Sequence, residues 1–220
     1  MIFAIIIPVV LILFFLIYYF SNKQTIIRKL RKIPSAGIGS IRTNQLVKVT
    51  GKALHVHEPL VAPFSKRKCV FFRIKIEQKK SSGKSSHWST ILKEERIQDF
   101  FIDKNGTSVM VQPSKNLRNY KAHLVVDKHT SSGTFKDPSP EFLRLLKEYN
   151  IKSTGFFGFN KQLRYSEAIV EIGEEVTVAG TAKWKNLNEP VAGYDYSNIL
   201  ALESTNQQKL IITDLSKKQL

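Results

Sequence analysis

The hydrophobic and polar positions divide the chain into two unlike regions. Residues Met1 to Phe20, MIFAIIIPVVLILFFLIYYF, carry no charged side chain. At a rise of about 1.5 Å per residue, such a run spans the roughly 30 Å hydrocarbon core of a bilayer and predicts a transmembrane helix over residues 1–20. Pro8 is tolerable there, because neighbouring groups in a membrane helix re-satisfy the freed carbonyl. Tyr18, Tyr19 and Phe20 fall where an interfacial aromatic belt belongs. A cleaved signal peptide would show a basic leader, a shorter apolar run and a small-x-small cleavage site, and none is present. No second apolar span occurs before Leu220, so a single-pass protein is expected.

Beyond that span the periodicity is mostly that of strands. Ile33 to Ser40 carries Pro, Gly and Ser, and residues 21–45 read as a basic juxtamembrane linker. From Leu46 to Leu54, Val47, Val49 and Ala53 alternate with polar partners, a strand with Gly51 as its expected bulge. In Cys69 to Glu77, Val70, Phe72, Ile74 and Ile76 are expected on one face and Arg73, Lys75 and Glu77 on the other. Ile97 to Ile102 and Thr107 to Gln112 flank Asp103-Lys104-Asn105-Gly106, a hairpin signal. Further strands are predicted over Tyr165 to Glu171, Glu175 to Trp184 and Leu210 to Thr213, whereas Lys79 to Ser86 (KKSSGKSS) reads as a mobile loop. VKVTGKA and VTVAGTA share a strand-glycine pattern that suits a small barrel or a curled sheet. One helix stands out: Ser139 caps it, Pro140 opens it, and Phe142, Leu145, Leu146 and Tyr149 form a single apolar stripe. The expectation is a mainly β (α+β) domain over residues 46–220, its core 46–184, with one amphipathic helix and the N-terminal transmembrane helix.

Charge changes the picture in one respect. The 220 residues hold 34 Lys and Arg against 18 Asp and Glu, a formal net charge of +16. Six of the basic residues, Lys23, Arg28, Lys29, Arg31, Lys32 and Arg42, follow the apolar span without an acid among them. The positive-inside rule then places the N-terminus outside and the domain in the cytoplasm. Lys23, Arg28, Lys29, Arg31 and Lys32 are the candidates to face anionic lipid headgroups, at about 1 kcal/mol each near the surface. The other 28 basic residues stand against 18 acids, leaving +10 on the portion that carries the domain, a moderate excess that does not require nucleic acid. Interleaved basic and aromatic residues (Phe71, Phe72, Arg73, Lys75; Tyr120, Lys121; Lys183, Trp184, Lys185) are the only nucleic-acid signal, and a two-sided sheet in a lysine-rich chain produces the same pattern.

Candidate chemistry is sparse. A lone Cys69 and five histidines exclude a disulfide scaffold and a multi-zinc module. Gly83-Lys84-Ser85 resembles the tail of a phosphate-binding loop, but Gln78 stands where the first glycine belongs and another strand follows where a helix should. His55, His57 and Glu58 could begin a metal site, yet no spacing ties Cys69 or His87 to them. Cys69 opens a hydrophobic strand and reads as a buried apolar residue rather than a nucleophile. Glu167 lies inside an apolar strand and reads as a structural ion pair or cap rather than a general base.

Several of these segments together resemble the GIDE family, also called BAM ("beside a membrane"), of which one member is a mitochondrial membrane-anchored RING-type E3 ubiquitin ligase. Leu60 to Cys69 (LVAPFSKRKC) with Val70-Phe71-Phe72 is similar to the family's S-P-x-S…C-V-Y-Y; Trp88 and Phe101 to Gly106 follow in order. Arg164 to Ile169, then Gly173, Val176, Val178 and Gly180, are similar to R-Y-x-E-x-I…G-x-x-V-x-V-x-G. The resemblance implies a membrane-apposed domain in which Pro63, Cys69, Trp88, Asp103, Gly106, Arg164, Tyr165, Glu167, Gly173 and Gly180 are fold determinants. Ala62 departs from the family's serine, and no Cys or His follows Trp184 to supply the eight zinc ligands of a RING.

These readings converge on a non-catalytic scaffold or sensor that recruits a protein or lipid partner at a membrane surface. No catalytic, cofactor-binding or metal residues are expected. The alternatives are a family-inherited E3 ubiquitin transferase, for which the ligands are missing, and a module that binds anionic lipid or nucleic acid.

Overall fold

The computed structural model describes residues 2–113, 119–155, 158–186 and 198–220. In chain order these form α1 (Ile2–Tyr19), α2 (Asn22–Lys32), β1 (Leu46–His55), β2 (Leu60–Val61), β3 (Lys68–Ser82), β4 (Ser85–Ile97), β5 (Phe100–Lys104) and β6 (Thr107–Gln112). They continue with β7 (Tyr120–His123), β8 (Lys128–Ser131), α3 (Pro140–Glu148), β9 (Leu163–Glu171), β10 (Glu175–Asn186), β11 (Asn198–Glu203) and β12 (Leu210–Thr213).

The two V-x-V-x-G segments find each other. In the antiparallel β1–β10 pair Gly51 faces Val176 and Gly180 faces Val47, so each glycine stands opposite a valine. β1 then pairs with β5, β5 with β6, β6 with β11 in parallel, and β11 with β10, which closes a five-stranded barrel. Numbered by their order in the chain, the barrel strands run 1-2-3-5-4-1, the closure of a Greek-key barrel of the OB type. β12 and β7 extend the sheet from the free half of the β10 edge. Val47, Val49, Phe100, Ile102, Val109, Leu200 and Leu202 fill the interior.

A second, curled sheet has the order β2-β3-β9-β8, with β4 also on β3. It lies between the barrel and α3. Val70 and Phe71 of β3 and Ala168 and Val170 of β9 join the barrel core, while Phe72, Ile74, Ile76, Tyr165 and Ile169 pack against Phe142, Leu145 and Leu146 of α3. Strict alternation from Val70 onward therefore fails: the register shifts between Cys69 and Phe71, and this separates Val70 from Phe72, Ile74 and Ile76. α3 forms as its sequence predicts, with the Ser139 hydroxyl accepting from the Phe142 amide at 3.2 Å.

Three other expectations change. Lys79 to Ser86 is a continuous hairpin in which Gly83, at φ 57°, turns β3 into β4. Gly51 makes no bulge; its pairing with Val176 is in register, and it is a glycine because the β5 backbone passes beside it. Residues 21–45 are not a linker throughout. Ile26, Ile27 and Leu30 are buried on one stripe of α2, and Ile26 and Leu30 pack with Ile33 on Ala179 of the barrel strand β10 and Ile211 of β12, a stripe hidden in the sequence by the basic residues between them. The Asn105-Gly106 hairpin is present, with φ of 54° and 79° at its two central residues.

Among the described residues no single helix is long and apolar enough to cross a membrane; the pair Ile6–Tyr19 and Asn22–Lys32, bent by 58°, passes by length and composition. From Ile6 to Phe20 the large apolar side chains are 41–70% exposed on every side of the helix.

Candidate functional site

The resemblance-derived residues fall into three places. Four of them meet around a carboxylate. Glu167, on β9, is completely buried and accepts from the amides of Phe64 at 2.9 Å and Ser65 at 3.1 Å and from the Tyr165 hydroxyl at 2.9 Å. Those amides belong to the loop that follows Pro63, closed by reciprocal backbone bonds between Ala62 and the Lys66–Arg67 segment. The Phe64 ring lies 5.2 Å from that of Tyr165. Cys69 is buried nearby, and burial, with Glu167 adding to it, pushes its thiol up to about 12, so it stays protonated and unreactive.

The second place is the charged face of the curled sheet. Arg164 binds Glu77 at 2.5 Å, its guanidinium lies 4.3 Å from the Trp88 ring centre, and Lys75 reaches the same Glu77 at 3.1 Å. The Arg164 hydrogen bond holds the Glu77 carboxyl below its ordinary range. One strand over, Arg73 binds Glu95 at 2.6 Å. These pairs tie β3, β4 and β9 together across their outer face.

The third group is conformational. Asp103 and Gly106 belong to the β5–β6 hairpin, and Gly173, at φ 87°, carries the chain from the curled sheet into the barrel. A Cβ on Gly180 would come within 2.5 Å of the Leu210 side chain.

Acids gather where the two sheets meet. Arg67 bridges Glu171 at 2.8 Å and Asp127 at 3.3 Å, and Glu174 accepts from the Glu171 amide. Beside them Asp214 accepts from the Val125 amide at 2.9 Å. Burial pushes the Asp214 carboxyl up to about 7, with Glu174 and Asp127 adding to the push against that amide. A folded-state value above the ordinary 3.8 stabilises the fold at low pH, and this contribution is lost as pH rises through about 7. We therefore predict that the melting temperature falls from pH 5 to pH 8 and that Asp214→Asn flattens this slope. The difference is on the order of 2 kcal/mol after solvent screening; identical wild-type and variant slopes would refute it.

Of the basic residues behind the apolar helix, Arg28 lies 3.7 Å from the Tyr19 ring centre and Arg31 donates to the Leu220 carbonyl at 2.7 Å. Lys23 lies close enough to His123 to help burial lower its imidazole value. Lys32 is exposed. Lys29 meets Lys121 of β7, marked in the sequence only by its place beside Tyr120, and Lys209 ahead of β12, which no sequence pattern marks. The Lys121 charge, then burial, then Lys209 hold the Lys29 ammonium below its ordinary value. The parallel β7–β12 pair, which sets Lys121 against Ile211, creates this meeting.

The remaining signals stay apart or are used elsewhere. His55 and His57 are exposed, and among the described residues no three His, Cys, Asp or Glu come together in a way that could hold a metal ion. Phe71, Phe72 and Tyr120 are buried and cannot stack on bases, while Trp184 donates its indole N–H to the Ile41 carbonyl at 3.0 Å. In OB-type barrels ligands lie across the second and third strands. Here Phe101 and Met110 on the outside of β5 and β6 are buried in a cluster with Ile199 and Ala201.

No protein-family model, curated protein or solved structure matches this chain.

Proposed function

We propose that this chain is a single-pass, membrane-anchored, GIDE-like β domain, held against the cytoplasmic surface as a non-catalytic scaffold or sensor. The observation that carries this reading is α1. A helix apolar on every side is stable either inside a protein or inside a bilayer, and its large apolar side chains from Ile6 to Phe20 stay exposed, with α2 reaching Tyr18 and Tyr19 at its end through Gln24 and Arg28. Next in the chain, α2 is docked on the barrel by Ile26 and Leu30, so the anchor passes directly into the folded domain. The carboxylates of the domain's interior and charged face support a non-catalytic reading, because Glu167 is committed to two amides and a phenol, and Glu77 and the half-buried Glu95 to guanidinium groups.

After alkaline carbonate extraction the full chain is expected in the membrane pellet, and a chain lacking residues 1–20 in the supernatant. Protease added outside intact cells is expected to spare the domain. A full chain released by carbonate, or a domain cleaved from outside, would overturn the anchor or its orientation respectively.

A further inference from the structure

We propose that the cleft between α2, β7 and the loop before β12 seats a phosphate group of a membrane-lipid headgroup, held by Lys29, Lys121 and Lys209. The cleft has a volume of about 170 Å³, and its other walls are Gln207, Gln208 and Ile211. Three ammonium groups arrive from three separate elements, and among the described residues none of them forms an ion pair with a carboxylate. Convergent like charges without a counter-ion destabilise the empty site. A phosphate, with several charged acceptor oxygens, turns that repulsion into charge-assisted hydrogen bonds. Lys121 also borders a larger cleft of about 490 Å³ with Asn22, Lys93 and the Arg73–Glu95 pair, which leaves room for the rest of a headgroup.

Position selects a lipid as the source of the phosphate, and this part rests on the anchored reading. Lys29 lies seven residues beyond Asn22, about 10 Å along α2. With α1 along the bilayer normal and a bend of 58° between the helices, Lys29 rises only about 6 Å from the start of α2. That height is within the headgroup layer, which adds about 5–7 Å on each side of the hydrocarbon core. Asn22 also donates to the Ala122 carbonyl at 3.1 Å, which fixes β7, and Lys121 with it, to the start of α2.

The test uses the full chain in neutral detergent, titrated with dihexanoyl phosphatidic acid, dihexanoyl phosphatidylcholine and inorganic phosphate, and followed by calorimetry and thermal melting. The phosphatidic acid analogue is expected to bind more tightly than the other two. Lys121→Gln should weaken it about fivefold and the triple Lys→Gln variant about a hundredfold. Without ligand, Lys121→Gln should melt above the wild type because one repelling charge is gone. Lys80→Gln, an equal charge change on the β3–β4 hairpin, should leave binding intact. An equal loss in Lys80→Gln would reduce the effect to general charge attraction and overturn the site. Inorganic phosphate binding as tightly as the lipid analogue would overturn the lipid source. A chain that carbonate extracts but that still binds the short-chain lipid upholds the site and sinks only the anchor.

Discussion

Glu167→Ala is expected to destabilise the domain by about 3–5 kcal/mol, a large part of the 5–15 kcal/mol that holds a typical domain together. The alanine would leave the Phe64 and Ser65 amides and the buried Tyr165 hydroxyl without their acceptor. It would also open a void beside Cys69 and the Phe64 and Tyr165 rings. Glu167→Gln keeps the volume and one acceptor oxygen but turns an NH2 group toward donors. It should therefore lose about 2 kcal/mol and remain folded. Urea denaturation of the full chain in detergent, followed by tryptophan fluorescence, reads both variants. Unchanged midpoints in Glu167→Ala would mean that the 62–67 loop does not depend on this carboxylate. Because the loop connects β2 to β3, its release should loosen the edge of the curled sheet before the barrel.

The sequence carried more of the barrel than of the curled sheet, for identifiable reasons. β1 and β10 were legible because a two-residue period survives where one face is buried, and their glycines mark both ends of the same pairing. α3 was legible because Ser139, Pro140 and the apolar stripe agree with one another. β11, which closes the barrel, is buried at four consecutive positions from Ile199 to Leu202 and shows no alternation. The turn KKSSGKSS is polar enough to read as a loop, yet it is two paired strand ends whose side chains both face solvent. Val70 and Phe72 change faces because of a register shift that no residue type announces. α2 was hidden for the opposite reason, since its charges outnumber the three side chains that dock it.

The candidate sites divide in the same way. Glu167 was visible as a carboxylate in an apolar strand, but two of its three donors are 102 and 103 residues away and only the β3–β9 pairing brings them close. Of the lysine cluster only Lys29 belongs to a recognisable run of basic residues. Lys121 and Lys209 are ordinary surface lysines until the parallel β7–β12 pair sets their strands together. The net charge of +16 is therefore a poor guide by itself. What distinguishes Lys29 from Arg28 or Arg31 is that Arg28 has the Tyr19 ring and Arg31 a carbonyl, whereas Lys29 faces two more cations.

The barrel closure itself is most exposed to a substitution at Gly51. This residue stands at the seam where β1 leaves β10 and takes up β5, Lys52 pairing with Glu175 on one side and Asp103 on the other. A Cβ at Gly51 would lie 2.2 Å from the Asp103 carbonyl oxygen, 2.9 Å from its carbonyl carbon and 2.8 Å from the Ile102 side chain. Backbone atoms held in a ladder cannot rotate away as a side-chain tip can. The β5 strand must therefore move, and with it Ile102 in the barrel core. Gly51→Ala is expected to lose at least about 3 kcal/mol, more than any alanine substitution at a merely strained turn. Gly180→Ala supplies the comparison. Its nearest obstacle, 2.5 Å away, is the far end of the Leu210 side chain, and its nearest backbone atom, the Glu203 carbonyl oxygen, is 3.1 Å away. Leu210 can change rotamer, so the loss there should be about 1–2 kcal/mol. Hydrogen exchange locates the effect: in Gly51→Ala the β5 amides should lose protection before those of β9. Equal losses in the two variants, or protection retained in β5, would show that the β1–β5 seam does not limit the stability of the barrel.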